Sequence, residues 1–150
     1  MRQDDKDYLT IIGAKEKQFD ALYRGAAKVF GLPDCSMWAL YYLYLSDEPL
    51  TQQDLIGKMM FPKQTINSAV MSMSKNDLVV LEMIPGTRNR KKITLTEKGE
   101  DLVKHSVQRM RDAEEKAVEE MGDRKMQQYT KLYEEFYDAL ERNFRKNNIV

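Results

Sequence analysis

Phe61-Pro62 constrains the fold of this chain more than any other pair of residues. Proline has no N–H to give to a helix and disfavours helix in the residue before it. The apolar stripes on either side therefore belong to two helices with a turn between them. Before the break, Leu55, Ile56 and Met59 predict one short helix over residues 52–60. Thr51 is placed to cap it, and Asp54 makes a shorter-armed version of the capping box. After the break, Ile66, Ala69, Val70 and Met73 recur at helical spacing and predict a second helix over 63–76 with one buried face. Leu78 to Ile84 is then a β-prone run, and Ile93-Thr94-Leu95 is its expected partner. Between them, Pro85-Gly86-Thr87-Arg88-Asn89-Arg90-Lys91-Lys92 is a turn with four cations in five residues.

A basic hairpin directly after a helix-turn-helix predicts a winged helix. The second helix turns Lys63, Gln64, Thr65, Asn67, Ser68, Ser72 and Lys75 away from its apolar side, with no acid among them. Taken alone, such a face is equally well a solvated surface with nothing to bind. In a helix that enters the major groove, the same side-chain types meet base edges, where Asn and Gln can pair bidentately with adenine. The basic turn suits phosphates or a narrow minor groove.

Residues 50–100 resemble the DNA-binding lobe of the MarR family of bacterial transcriptional regulators. The resemblance is carried by LTQQDLIGKMMFPKQTI before and into the second helix, NDLVV leaving it, and TRNRKKITLTEKGE across the wing. The closing Leu95-Thr96-Glu97-Lys98-Gly99 matches the family's Leu-Thr-x-x-Gly. Thr87 stands where the family has an Asp before the wing, so the family's usual salt-bridge brace is missing and a looser wing is expected. Asn76-Asp77 replaces a common glycine, with Asn76 expected to take the left-handed conformation of the cap. The resemblance implies a dimer intertwined through both termini, a palindromic operator on double-stranded DNA, and regulation by small aromatic or phenolic molecules.

Composition is compatible with this. The chain has 150 residues, enough for one domain with a real core. Its net charge is zero, but between Lys58 and Lys92 seven cations face two acids, a local excess of five positive charges. Local field rather than total charge sets phosphate attraction. The single cysteine excludes an intramolecular disulfide and a multi-cysteine metal site. No run approaches the length of a membrane span, and the opening MRQDDKDYLT lacks the apolar stretch of a secretory leader. A cytoplasmic protein is expected.

Outside the lobe the pattern is helical. Residues 7–30 carry Tyr8, Ile12, Phe19, Leu22, Tyr23, Ala26 and Phe30 on one side, with Gly31 and Pro33 ending the helix. Residues 35–46, capped by Asp34 or Ser36, are apolar nearly all round and should lie deep. A long helix capped by Thr96 is expected to run to Met121, with Leu102, Val103, Val107, Met110, Ala113 and Ala117 as its stripe. The last, over 124–146, shows Met126, Tyr129, Leu132, Tyr133, Phe136, Leu140 and Phe144. The small winged lobe cannot cover both terminal stripes, so pairing with a second copy is expected.

The predicted fold is therefore mainly α with a small β-wing. It is a single domain over 1–150, in which 50–96 form the winged helix-turn-helix lobe. Residues 7–46 and 97–146 supply core and dimerisation helices. Gln64, Thr65, Asn67 and Ser68 are the candidates for the major groove and Arg88 and Arg90 for the minor groove. Lys63, Lys75, Lys91 and Lys92 are the candidates for phosphates. Met37, Trp38 and Tyr41 are candidates for an aromatic ligand pocket, with ordinary core as the alternative. Cys35 reads as a buried structural thiol, because no cation stands beside it and Asp34 opposes ionisation. His105 has no second ligand at helical spacing, so no metal or other cofactor is expected. Nor is catalysis, since there is neither a glycine-rich phosphate loop nor a nucleophile motif. The competing reading is a helical protein–protein adaptor that uses the winged fold without DNA.

Overall fold

Thr51 starts the lobe as its sequence suggests. In the computed structural model, which describes residues 3–150 and side chains from Asp7 onward, its hydroxyl accepts from Asp54 N–H at 3.2 Å. The Asp54 carboxylate in turn accepts from Thr51 N–H at 2.7 Å and from its hydroxyl at 2.6 Å. Met1 and Arg2, part of the single domain expected over 1–150, lie outside the described residues. Among the described residues the order is α1 (Gln3–Val29), α2 (Asp34–Leu45), β1 (Leu50–Thr51), α3 (Gln52–Lys58), α4 (Lys63–Lys75) and β2 (Val79–Met83). There follow β3 (Lys91–Leu95), α5 (Glu97–His105), α6 (Val107–Met121) and α7 (Asp123–Lys146). The fold is thus mainly helical with a small antiparallel sheet, the winged-helix class expected.

The sheet runs β1-β3-β2, with Leu81 opposite Ile93 and Leu50 on the other side of Ile93. β1 was not foreseen, because two residues are too short to show alternation. It ties the start of α3 to the wing strand.

Two compact units divide the chain, Met1–Met110 and Arg111–Val150. In the first, α2 lies at the centre, as its all-round apolar character requires. Cys35, Ala39, Leu40 and Leu43 pack in one core with Leu55 of α3, Ile66, Ala69, Val70 and Met73 of α4, Val79, Ile93 and Val103. Met37 belongs to a smaller cluster with Ala27 and Met110. α1 is closed by Gly31, two residues past its end, whose positive φ of 68° lets Leu32 N–H reach back to Ala27 O at 2.9 Å.

The N-cap of α2 is neither Asp34 nor Ser36 but Pro33, and no side chain caps it. Pro33 already holds a suitable φ of −59°, and its carbonyl accepts from Met37 N–H at 2.9 Å. The exit from α4 is also displaced by one residue. Asp77, at φ 57°, takes the left-handed position, while Asn76 stays at φ −92°. Leu78 N–H then bonds Met73 O at 2.9 Å and Asp77 N–H bonds Ser74 O at 3.1 Å, the two bonds of a Schellman ending.

That exit is joined to the start of α5. The Thr96 hydroxyl donates to Asp77 O at 2.6 Å and accepts from Gly99 N–H at 3.0 Å. Thr96 N–H donates to Leu78 O at 3.1 Å, and Lys98 Nζ reaches Asn76 O at 2.8 Å. Gly99 is required here, since a Cβ would stand 2.1 Å from Leu78 O. This gives the closing Leu-Thr-x-x-Gly its physical reason.

The expected long helix from Glu97 is broken at Ser106. Its hydroxyl donates to Leu102 O at 2.6 Å, the acceptor that helix geometry reserves for Ser106 N–H, and that N–H turns to Val103 O at 3.2 Å. In the second unit, Gly122 at φ 78° separates α6 from α7. α7 leaves Tyr129, Leu132, Tyr133, Phe136, Leu140 and Phe144 exposed and has no buried residue.

Candidate nucleic-acid interface

α4 buries Ile66, Ala69, Val70 and Met73 against α2 and α3, and this fixes what its opposite side shows. Lys63, Gln64, Thr65, Ser68, Ser72 and Lys75 are exposed, and Asn67 is half-buried. The N-terminal half of the helix is therefore a hydrogen-bonding surface. Pro62 forms its N-cap without a side-chain bond, and Pro62 O accepts from Thr65 N–H at 2.9 Å. Two of the four candidate base readers already have partners. Ser68 Oγ donates to Gln64 O at 3.0 Å, and Asn67 Oδ1 accepts from Gln52 Nε2 of α3 at 3.1 Å.

Sequence reasoning missed two residues on this side. Met71, four residues beyond Asn67, is 57% exposed, and its helical position alone was enough to place it. Gln52 was not legible, because its partner is fifteen residues away on another helix.

The wing is closed without the family's Asp. Ile84-Pro85-Gly86-Thr87 is a tight turn with Gly86 at φ 78°, and Ile84 O accepts from both Thr87 N–H at 3.2 Å and its hydroxyl at 2.7 Å. Ile84 N–H donates to Arg90 O at 2.9 Å, so a neutral hydroxyl and a backbone bond do the bracing. Arg88, Arg90 and Lys91 are exposed beyond it. Lys92 is not a free cation. Its Nζ lies 2.6 Å from the Glu82 carboxylate, its cross-strand partner, which removes much of its charge from the wing's field.

The basic field reaches α3. The Asp54 carboxyl is held below the usual carboxylate range, first by the Thr51 hydroxyl, then by Thr51 N–H, with burial opposing and the charges of Arg90 and Lys58 assisting. Arg90 thus stands close enough to the α3 cap to act on it.

A cavity of about 370 Å³ lies in the same unit. Tyr23, Trp38, Tyr42, Met59, Met60 and Phe61 line it together with Asp20, Arg24, Asp34 and Lys58. Of the candidate pocket residues, Trp38 is on its wall. Tyr41 packs edge-on against Trp38 at 5.3 Å, and Met37 is fully buried in the core away from the lining. Cys35 is buried, and burial followed by the charge of Asp34 pushes its thiol up from the ordinary value. Among the described residues no cluster of His, Cys, Asp and Glu could hold a metal ion, and no helix is long and apolar enough to cross a membrane.

By sequence, no protein-family model matches the chain and no curated protein is similar to it. By structure, it superposes on a MarR family regulator from Neisseria meningitidis with a TM-score of 0.76 at 17% identity, over 98% of this chain and 99% of that one. The fold is that of the MarR family regulators. S. aureus MepR, solved in complex with DNA, matches with a TM-score of 0.69 at 18% identity, over 89% of this chain and 97% of MepR. NadR, solved in complex with 4-hydroxyphenylacetate, matches with a TM-score of 0.66 at 21% identity, over 85% and 89% of the two chains. Across this MarR-type fold, coverage is nearly complete while identity stays at or below 21%.

Proposed function

We propose that the protein is a sequence-specific double-stranded DNA-binding transcriptional regulator of MarR type, a homodimeric repressor that acts on a palindromic operator. The observation that carries this reading is one compact unit with two features: the exposed polar face of α4 and the basic wing after β2. Gln64, Thr65, Asn67 and Ser68 face the major groove, and Arg88 and Arg90 the minor groove. Lys63, Lys75 and Lys91 hold phosphates, and Lys92 contributes less because Glu82 holds it. MepR's complex with DNA supports the reading by analogy of fold.

A second copy covers the apolar stripe of α7, as expected for an exposed face of this kind. With two-fold symmetry, the two α4 helices read half-sites roughly 34–36 Å apart. Both compact units belong to one MarR-type domain, whose terminal helices serve dimerisation. The aromatic cavity at Trp38 takes a small aromatic effector, by analogy with NadR and its 4-hydroxyphenylacetate. A ligand that prefers one arrangement of the two lobes changes DNA affinity by its differential binding, typically about 1–3 kcal/mol.

Fluorescence anisotropy on the gene's own upstream fragment and on scrambled DNA, over a salt series, tests this. The expected result is tighter binding to the upstream fragment with a steep salt slope that Arg88→Ala or Arg90→Ala reduces. Weak binding to both DNAs, insensitive to salt, favours the adaptor reading, for which the neutral total charge is the supporting observation.

A further inference from the structure

Gln52 of α3 and Asn67 of α4 share a side-chain hydrogen bond that joins the two helices. Gln52 Nε2 donates to Asn67 Oδ1 at 3.1 Å, and both residues are half-buried. The bond fixes more than position. A primary amide has an acceptor end and a donor end, and bidentate pairing with adenine uses both, the oxygen taking N6–H and the NH₂ giving to N7. With one of the two lone pairs of Oδ1 taken from the side by α3, the amide is oriented, and Nδ2 is the end with both of its bonds left to offer. Among the described residues Nδ2 donates to no acceptor.

From this geometry we propose that Gln52 is a positioning residue that sets the base preference of Asn67. Asn67 presents a donor and reads a base-edge acceptor, with guanine favoured because its N7 and O6 are both acceptors. Because Oδ1 is already engaged on the α3 side, the two-bond adenine contact that its residue type alone suggests is disfavoured. The inference rests on the DNA-binding reading above and adds to it a residue outside the recognition helix that determines specificity.

The substitution Gln52→Glu tests this by reversing the bond. A carboxylate only accepts, so it takes Nδ2–H and turns Oδ1 outward, and Asn67 then reads a base-edge donor, cytosine N4 or adenine N6. Gln52 is the first residue of α3, where an acid suits the helix dipole, so this variant should fold. Gln52→Leu, which removes the hold without adding charge, is the second variant. Duplexes selected from a randomised pool by the full-length wild type, Gln52→Glu, Gln52→Leu and Asn67→Ala are sequenced, with circular dichroism confirming each fold.

Asn67→Ala identifies the base pair concerned as the one whose preference disappears. At that pair the wild type should enrich G·C in one orientation, Gln52→Glu should reverse that orientation or shift the pair to A·T by about tenfold, and Gln52→Leu should relax the choice. The added negative charge lowers affinity for all sequences together, so only the preference ratio is read. An unchanged preference in Gln52→Glu, or a wild-type preference for A·T at that pair, overturns the proposal and leaves the DNA-binding reading intact. Selective DNA binding with no pair altered by Asn67→Ala also overturns it. If the wild type enriches no sequence at all, the regulator reading itself fails and takes this inference with it.

Discussion

α4 and α7 are both amphipathic, yet the chain finishes them on opposite sides. α4 closes its apolar face inside its own unit, with Ile66 wholly buried and Val70 and Met73 nearly so, and leaves polar side chains outside. α7 leaves the apolar face itself exposed, with Leu132 at 64% and Tyr137 at 59%. The same periodicity therefore calls for two kinds of partner. An exposed row of amides, hydroxyls and lysines fits a polar, anionic surface. An exposed aromatic stripe fits another apolar one, and a second copy supplies that without any new sequence.

The contrast breaks most visibly under truncation. Ile66→Ala should cost about 2–5 kcal/mol in denaturant unfolding, equally at every protein concentration, because its contacts lie within one chain. Leu132→Asp should instead lower the mass seen by light scattering and abolish the concentration dependence of the melting temperature that a dimer shows. If both variants behave alike, α7 is not an interface and the contrast is false.

A smaller effect concerns α3, which supports the closed side of α4. Thr51→Ala should cost about 1 kcal/mol by removing the cap. The folded Asp54 carboxyl lies below its unfolded value, so its contribution is complete above that unfolded value near 3.8 and is lost as pH falls through the folded one. Urea midpoints measured downward from pH 5 should therefore fall less steeply in Asp54→Asn than in the wild type. Equal pH slopes would dismiss the capping charge as a stabilising element.

The smallest effect sharpens the open polar side. Lys91→Ala should reduce the salt slope of DNA binding by roughly 0.9, and Lys92→Ala by less, because Glu82 already neutralises Lys92. Glu82→Gln should raise the Lys92 contribution toward that of Lys91. Equal slopes for the two lysine variants would show that DNA displaces Glu82 at no cost.

Where the structure follows from local rules, the sequence revealed it. The stripes of α3 and α4, the Thr51–Asp54 box and the basic hairpin are each written within a few neighbouring residues. What stayed hidden depends on distant partners or on one atom's choice between bonds. β1 exists only because β3 lies beside it, and the Gln52–Asn67 bond crosses between helices. Lys92 is ion-paired with a residue that only the strand register places opposite it. Ser106 turns one hydroxyl inward and divides a helix whose apolar stripe gives no warning. Of the candidate site, the exposed face was legible, but not which of its groups were already in use.

The joint between the α4 exit and α5 has a consequence for how far this sequence can drift. On the exit side its acceptors are the carbonyl oxygens of Asn76, Asp77 and Leu78, and every amino acid brings a carbonyl. Those three positions can change their side chains and still offer the same three bonds. On the α5 side the demand is for a hydroxyl at Thr96, a long amine at Lys98 and no side chain at all at Gly99. Substitutions should therefore accumulate unevenly across the joint, more readily before the wing, where the left-handed φ of Asp77 and the packing of Leu78 are the restraints, than after it.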